Sequence, residues 1–300
     1  MRAGAWIAVG SACAALAVLA GCGSDSDPVG PEELPPPTGF LGLSRDFVDT
    51  LAFEGRERLS HVHLPRAYDH DTRLPLLLVF HGSGTSFRQM RSWTGFDAFA
   101  DAENFVVVYP GAYGGWGDGD IEFVPALVEH LTELWAVDPA RVALTGFSAG
   151  GFLSNRLGCE AGFPVRAVAT VGATVRTTTR EVCVPSGFGR TASPVSALVM
   201  LGDQDTSVPL EGRDDALSLV ESAAMWRAID ECSGSPTVVF QPAEGADPHV
   251  RTEISAACTA GTEVQSAVMV GMGHIWPRPD TNPSLIDATE IVTGFVVRQW

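Results

Sequence analysis

Gly146-Phe147-Ser148-Ala149-Gly150 sets a serine in a G-x-S-x-G pentapeptide, with an apolar, β-branched run at 141–145 before it and a helical pattern at 151–157 after it. Strand, tight turn, helix is the context in which such a serine becomes an exposed nucleophile. The flanking glycines are needed because the turn leaves no room for side chains between strand and helix. A serine hydroxyl attacks only when a base takes its proton and a third group orients that base. Two later loops, each directly after an apolar run, hold the right residue types: Gly202-Asp203-Gln204-Asp205 and Gly271-Met272-Gly273-His274. Serine, acid and histidine in that chain order suit acyl transfer. Asp203 and Asp205 compete for the acid role. Of the seven histidines, His274 is the one both downstream of Ser148 and at the end of such a run. His249 instead follows a stretch rich in proline and acid at 241–248, and His130 reads as a helix-face residue. His61 and His63 alternate along one run with no carboxylate or cysteine joining them, so they read as packing residues, not metal ligands.

Acyl transfer also needs N–H donors for the oxygen that becomes negative in the tetrahedral intermediate. Ala149, next after the nucleophile, offers one backbone N–H. The loop His81-Gly82-Ser83-Gly84, after the apolar run at 74–80, offers the other, with Ser83 as the expected donor and His81 as a brace. The chemistry as read calls for no metal and no cofactor.

A sheet must bring these loops together. Runs at 47–53 and 59–64 read as an antiparallel pair at a sheet edge. Runs at 74–80, 105–109, 141–145, 165–171, 196–201 and 264–270 read as further strands, and helices are expected at 121–135, 151–157, 215–230 and 285–300. Strands alternating with helices predict an α/β fold, a mostly parallel central sheet covered on both faces. That is the α/β-hydrolase arrangement, in which loops at the carboxyl ends of the strands gather the functional groups.

The chain has 36 acidic and 19 basic residues, a formal charge of −17, which argues against nucleic acid and anionic membrane surfaces as partners. All 19 basic residues are arginine. Without lysine there can be no Ser-Lys hydrolase, Walker-type phosphate site or Schiff base. Met1-Arg2 and the apolar residues 5–20 read as an export signal, too short for a membrane span. Leu19-Ala20-Gly21-Cys22 resembles a bacterial lipobox, which implies a signal peptide at 1–21, lipid on the Cys22 sulfur and membrane contact through that lipid alone. Residues 22–39 are a Gly-, Ser-, Asp- and Pro-rich tether. Residues 40–300 are long enough for one large catalytic domain.

Six cysteines include Cys13 in the signal and Cys22. The remaining four, Cys159, Cys183, Cys232 and Cys258, form an even set in an exported domain, with three possible pairings. Sequential pairing closes two short loops and is the expected one. Their spacings lack the C-x-x-C pairs of zinc sites.

Assembled, these residues resemble the secreted polyhydroxybutyrate depolymerase and feruloyl esterase family of α/β-hydrolases. The resemblance runs from about Leu59 to the C-terminus. It is carried by Leu78-Val79-Phe80-His81-Gly82, by 105–110, by Val137-Asp138-Pro139-Ala140-Arg141-Val142 and by 146–151. It continues through 202–209 and Gly273-His274-Ile275-Trp276-Pro277, with Trp226, Cys232 and Cys258 in keeping. It implies Ser148, Asp205 and His274 as a triad, so it favours Asp205 over Asp203, and it implies the Cys232–Cys258 disulfide. Two departures lie where substrate would touch. Ser83 stands where depolymerases of the family often have cysteine, and the segment from Tyr113 to Asp120 is short and Gly-rich around Trp116. Trp116 and Trp276 are expected to line the substrate pocket.

The implied protein is an exported serine esterase, anchored by Cys22 or secreted, acting on oligomeric or polymeric 3-hydroxybutyrate or on feruloyl-type esters. No separate domain for an insoluble polymer is evident, which favours soluble esters. A peptidase or other acyl hydrolase on the same fold is the alternative, and a non-catalytic binding lipoprotein a more distant one.

Overall fold

The structure, a computed structural model, describes residues 45–184, 193–241 and 249–300. The expected signal peptide, Cys22 and the tether lie outside the described residues. β1 (Asp46–Phe53) and β2 (Arg56–His63) form an antiparallel hairpin whose two loop residues, Glu54 and Gly55, both have positive φ. That turn suits the right-handed twist of the strands it joins. β3 (Leu74–Phe80) follows, then two short helices, α1 (Phe87–Thr94) and α2 (Phe96–Glu103), and β4 (Val106–Pro110). α3 (Asp120–Leu134), β5 (Val137–Phe147), α4 (Ala149–Glu160), β6 (Val165–Val171) and α5 (Thr177–Cys183) continue the alternation. β7 (Ser196–Gly202), α6 (Leu219–Ile229), the hairpin of β8 (Thr237–Gln241) and β9 (Val250–Ser255), β10 (Val264–Met269) and α7 (Ala288–Val297) complete it.

The strands form one ten-stranded sheet in the order β1-β2-β4-β3-β5-β6-β7-β10-β9-β8. From β4 to β10 it is parallel; the outer strands on both sides pair antiparallel. All seven residues of β3 are buried, as a strand covered on both faces requires. Each such Leu, Val or Phe contributes about 1.5–3 kcal/mol of hydrophobic burial. β3 pairs with β4 on one side and β5 on the other. The connections leaving β3 and β5 therefore diverge, and a crevice opens at their carboxyl ends. The loop at 81–84 and Ser148 both stand there.

The expected strands and major helices are present, with shifted ends. α6 begins at Leu219 because Ser218 caps it in a reciprocal capping box with Glu221. α7 begins after Asp287, whose carboxylate accepts the N–H groups of Thr289 and Glu290. α1, α2, α5, β8 and β9 were not anticipated. β8 is exposed along its whole length, so it lacks the alternation that marks a half-buried strand. α1 and α2 are about two turns each, split by Gly95 at φ 62°.

Cys159 bonds Cys183 and Cys232 bonds Cys258. The first ties α4 to α5; the second ties the end of α6 to the turn before β10. At separations of 24 and 26 residues, each removes about 3–4 kcal/mol of unfolded-chain entropy in the loop-closure model.

The reading of His61 and His63 needs correction, because a carboxylate does join them. Asp46, brought opposite His63 by the β1–β2 register, lies 2.9 Å from His63 Nδ1 and 3.4 Å from His61 Nε2. Arg91 pairs with Asp46 at 2.5 Å and with Asp97 at 2.6 Å. The guanidinium thus lies on the two carboxylates that, with His63, would otherwise make a cation site. Burial and then the Arg91 charge push the His61 imidazole below its ordinary pKa. Sequence separation hid this cluster: Asp46 and Arg91 are 45 residues apart.

Candidate active site

Ser148 sits at the sharp junction of β5 and α4, with φ 52° and ψ −116°. A non-glycine residue in such a region costs about 1–3 kcal/mol and persists only where the surroundings hold it. Here the Ser148 N–H donates to the Val171 carbonyl at 3.0 Å. The neighbouring glycines leave no slack: a Cβ on Gly146 would lie 2.4 Å from the Gly150 carbonyl carbon, and one on Gly150 would lie 2.2 Å from the Phe80 carbonyl oxygen. The elbow is locked by backbone on both sides.

His274 Nε2 lies 2.9 Å from Ser148 Oγ, and His274 Nδ1 lies 2.7 Å from Asp205 Oδ2. The Asp205 side chain is fully buried. Its other oxygen accepts the N–H groups of Ser207 (2.9 Å) and Val208 (2.8 Å), so the carboxylate has one orientation in which to meet the imidazole. The imidazole lies against Phe147, ring centroids 4.8 Å apart and tilted by 36°. Asp203 does not face His274. It accepts the Gly271 N–H at 2.7 Å, while the Gln204 N–H donates to the Met272 carbonyl at 2.9 Å. A Cβ on Gly202 would fall 2.0 Å from that same carbonyl. The loops after β7 and β10 are zipped together, and Asp203 belongs to the zip.

Gly82 lies beside the elbow, its missing Cβ 3.5 Å from Ser148 Cβ. Ser83 is exposed and Ala149 half-buried. His81 is buried, and its Nε2 accepts the Ala112 N–H at 3.1 Å. That leaves Nδ1 to carry the proton and donate to the Gly82 carbonyl at 2.9 Å. Burial pushes the imidazole below its ordinary pKa, against an upward pull from the Gly82 hydrogen bond.

Trp116 reaches the cleft from the 111–119 loop. Its indole N–H donates to the His81 carbonyl at 2.7 Å, and its ring meets Phe80 edge-on. Behind it, the Gly117 N–H donates to Asp120, whose other oxygen pairs with buried Arg58 at 2.6 Å. Arg58 also lies over the Phe123 ring at 3.6 Å and donates to the Gly111 carbonyl. This Arg58–Asp120 anchor, across 62 residues, had no local signal in the sequence. Trp276, by contrast, does not reach the cleft. It is buried against Phe96, donates to Thr289 at 2.9 Å, and is part of the core, which corrects the expectation of a pocket role.

Two cavities border the elbow. One of about 570 Å3 includes Gly82, Ser83 and Trp116 in its lining; one of about 120 Å3 includes Ala149, Phe152 and Trp116. A third of about 1010 Å3 lies away from Ser148, Asp205 and His274, between the β8–β9 hairpin and α7.

No family model matches the chain. The protein named "Putative esterase NocK" from Nocardia uniformis subsp. tsuyamanensis is 30% identical over 94% of this chain and 93% of its own. Feruloyl esterase C of Emericella nidulans is 28% identical over 67% of this chain and 71% of its own. Among solved structures, an acetyl xylan esterase from Aspergillus awamori matches with a TM-score of 0.59 over 83% of this chain and 99% of its own, at 12% identity. A feruloyl esterase module from Clostridium thermocellum, complexed with sinapinate, matches with a TM-score of 0.58 over 84% and 87%, also at 12% identity. The structural matches establish the α/β-hydrolase fold. With an esterase relative along almost the whole sequence as well, the chain belongs to the α/β-hydrolase family that includes the feruloyl esterases, and is by class a carboxylic ester hydrolase.

Proposed function

We propose that the protein is an exported serine esterase working through Ser148, His274 and Asp205. Ser148 Oγ attacks the ester carbonyl as His274 Nε2 takes its proton. Asp205 holds the imidazole and stabilises its charged form. The carbonyl oxygen, now negative, is met by the N–H groups of Ala149 and Ser83. His274 returns the proton to the departing alcohol, and the acyl group remains on Ser148. Water, activated by the same imidazole, then releases the acid. The observation that carries this reading is the unbroken chain of hydrogen bonds from Ser148 Oγ to His274 at 2.9 Å and on to Asp205 at 2.7 Å.

Feruloyl-type or other short carboxylic esters are the proposed substrates, in line with the names of the relatives. Oligomers of 3-hydroxybutyrate are the second class to test. A fluorophosphonate should label Ser148 alone, and Ser148→Ala should fold normally yet lose about 10⁵-fold or more in turnover. Unlabelled Ser148, or activity kept by the variant, would sink the assignment. Methyl ferulate against 3-hydroxybutyrate oligomers then separates the substrate classes.

The proposed organisation is a signal at 1–21, a lipid-bearing Cys22, a tether at 22–39 and a catalytic domain at 40–300. The two disulfides support export. Cys22→Ala should move the protein from the membrane to the soluble fraction; retention on the membrane would count against the anchor.

A further inference from the structure

The two cavities at the elbow share a single lining residue. The larger reaches the elbow through Gly82 and Ser83, the smaller through Ala149, and among the described residues Trp116 alone lines both. Each cavity thus meets one of the two proposed oxyanion donors. An ester oxygen held by both donors would sit between the two cavities. The two substituents of an ester carbonyl diverge in the plane, so one would enter each cavity.

The indole is well fixed for a dividing wall. Its N–H is bonded to the His81 carbonyl, its ring is tilted against His81 at 4.9 Å and set edge-on to Phe80 at 5.4 Å. The loop behind it is tied to α4, the helix that starts at the nucleophile, by Asp118 and Arg156 at 2.5 Å. The compartments differ greatly in size. About 570 Å3 falls within the roughly 300–1,000 Å3 of pockets that hold drug-sized ligands. The smaller holds only about 120 Å3. The arginines that line it are already paired, Arg156 with Asp118 and Glu160 and Arg176 with Asp215. The two compartments thus differ in size, and the arginines of the smaller have charge partners already.

We propose that Trp116 is a specificity-determining wall, giving the enzyme one roomy and one cramped compartment, so that it takes esters bulky on one side of the carbonyl and short on the other. This inference rests on Ser148 as the nucleophile. The test compares kcat/KM for three esters: methyl ferulate and 4-nitrophenyl acetate, each short on one side, and 4-nitrophenyl ferulate, bulky on both. Trp116→Ala joins the compartments, so the doubly bulky ester should gain on the better of the other two by about tenfold or more relative to wild type. Trp116→Phe keeps a ring in place but loses the N–H, so it should lower all three together and hold their ratio within about threefold. Trp116→Leu, which keeps apolar packing on Phe80 with a shorter wall, guards against an inactive alanine variant and should shift the ratio the same way. An unchanged ratio in both the alanine and leucine variants, or equal loss on all three esters, overturns the wall and leaves Trp116 as a loop anchor. A wild-type protein that hydrolyses none of the three and is not labelled at Ser148 overturns the nucleophile itself, and the wall with it.

Discussion

The two sides of the cleft are built differently. On the side of Ser148, Asp205 and His274, backbone closes on backbone at three points: Gly146, Gly150 and Gly202 have carbonyl groups within 2.5 Å of where a Cβ would be. On the side of the 111–119 loop, Gly114, Gly115, Gly117 and Gly119 have nothing within 4 Å, and the loop is held by a handful of polar contacts and one indole. Proton transfer, the role proposed for these three residues, tolerates little displacement, and they hang from packed strand ends. Substrate choice can be altered loop by loop on a fixed scaffold. The comparison predicts where substitution stops turnover and where it only changes preference.

The largest effect after loss of the nucleophile should come from Asp205→Asn. It keeps the shape, but the amide cannot stabilise the imidazolium and favours the wrong tautomer, so turnover should fall by about 10⁴-fold with little change in KM. A loss under about tenfold would return the role to Asp203 or to none. Next comes a matched pair of glycines. Gly150→Ala drives a methyl group into the Phe80 carbonyl and should cost about 3 kcal/mol or more, read as a large fall in Tm or failure to fold. Gly119→Ala, at φ −63° in open space at the start of α3, should leave Tm unchanged or raise it slightly. Equal losses at the two sites would erase the contrast between the halves.

The smallest effect is a pH dependence. His81 is held below its ordinary pKa in the folded chain, first by burial. Above the ordinary imidazole value neither state binds the proton, and the contribution to stability is complete. As pH falls below that value toward the lowered one, the unfolded chain takes up a proton that the folded chain resists, and stability declines. His61 is shifted in the same direction and acts in the same window. Tm should drop between about pH 7 and pH 5, and His81→Gln should flatten part of that drop. A drop of the same size in the variant would remove His81 from the account.

The side that carries Ser148, Asp205 and His274 was readable in the sequence because each of these residues stands in a local pattern. Ser148, Asp205 and His274 each follow an apolar run within a few residues, and a strand's carboxyl end is where such groups collect. The opposite side depends on contacts that sequence spacing does not record. Arg58 finds Asp120 across 62 residues, and Trp116 finds the His81 carbonyl across 35. Trp116 and Trp276 look alike as isolated letters; one stands in the cleft and the other beneath it, donating to Thr289. Asp46 escaped for the same reason, since only strand register sets it against His61 and His63. The β8–β9 hairpin escaped for another, because an edge strand exposed throughout has no buried face to betray it.

The disulfide between Cys159 and Cys183 joins the helix that begins at the nucleophile to the short helix whose Thr178 and Thr179 border the small compartment. With that bond reduced, the short helix would still have the Thr177 N–H on the Asp215 carbonyl and the Arg176–Asp215 ion pair, but no covalent tie to its neighbour. The redox state of the surroundings would then be felt first at the border of the small compartment.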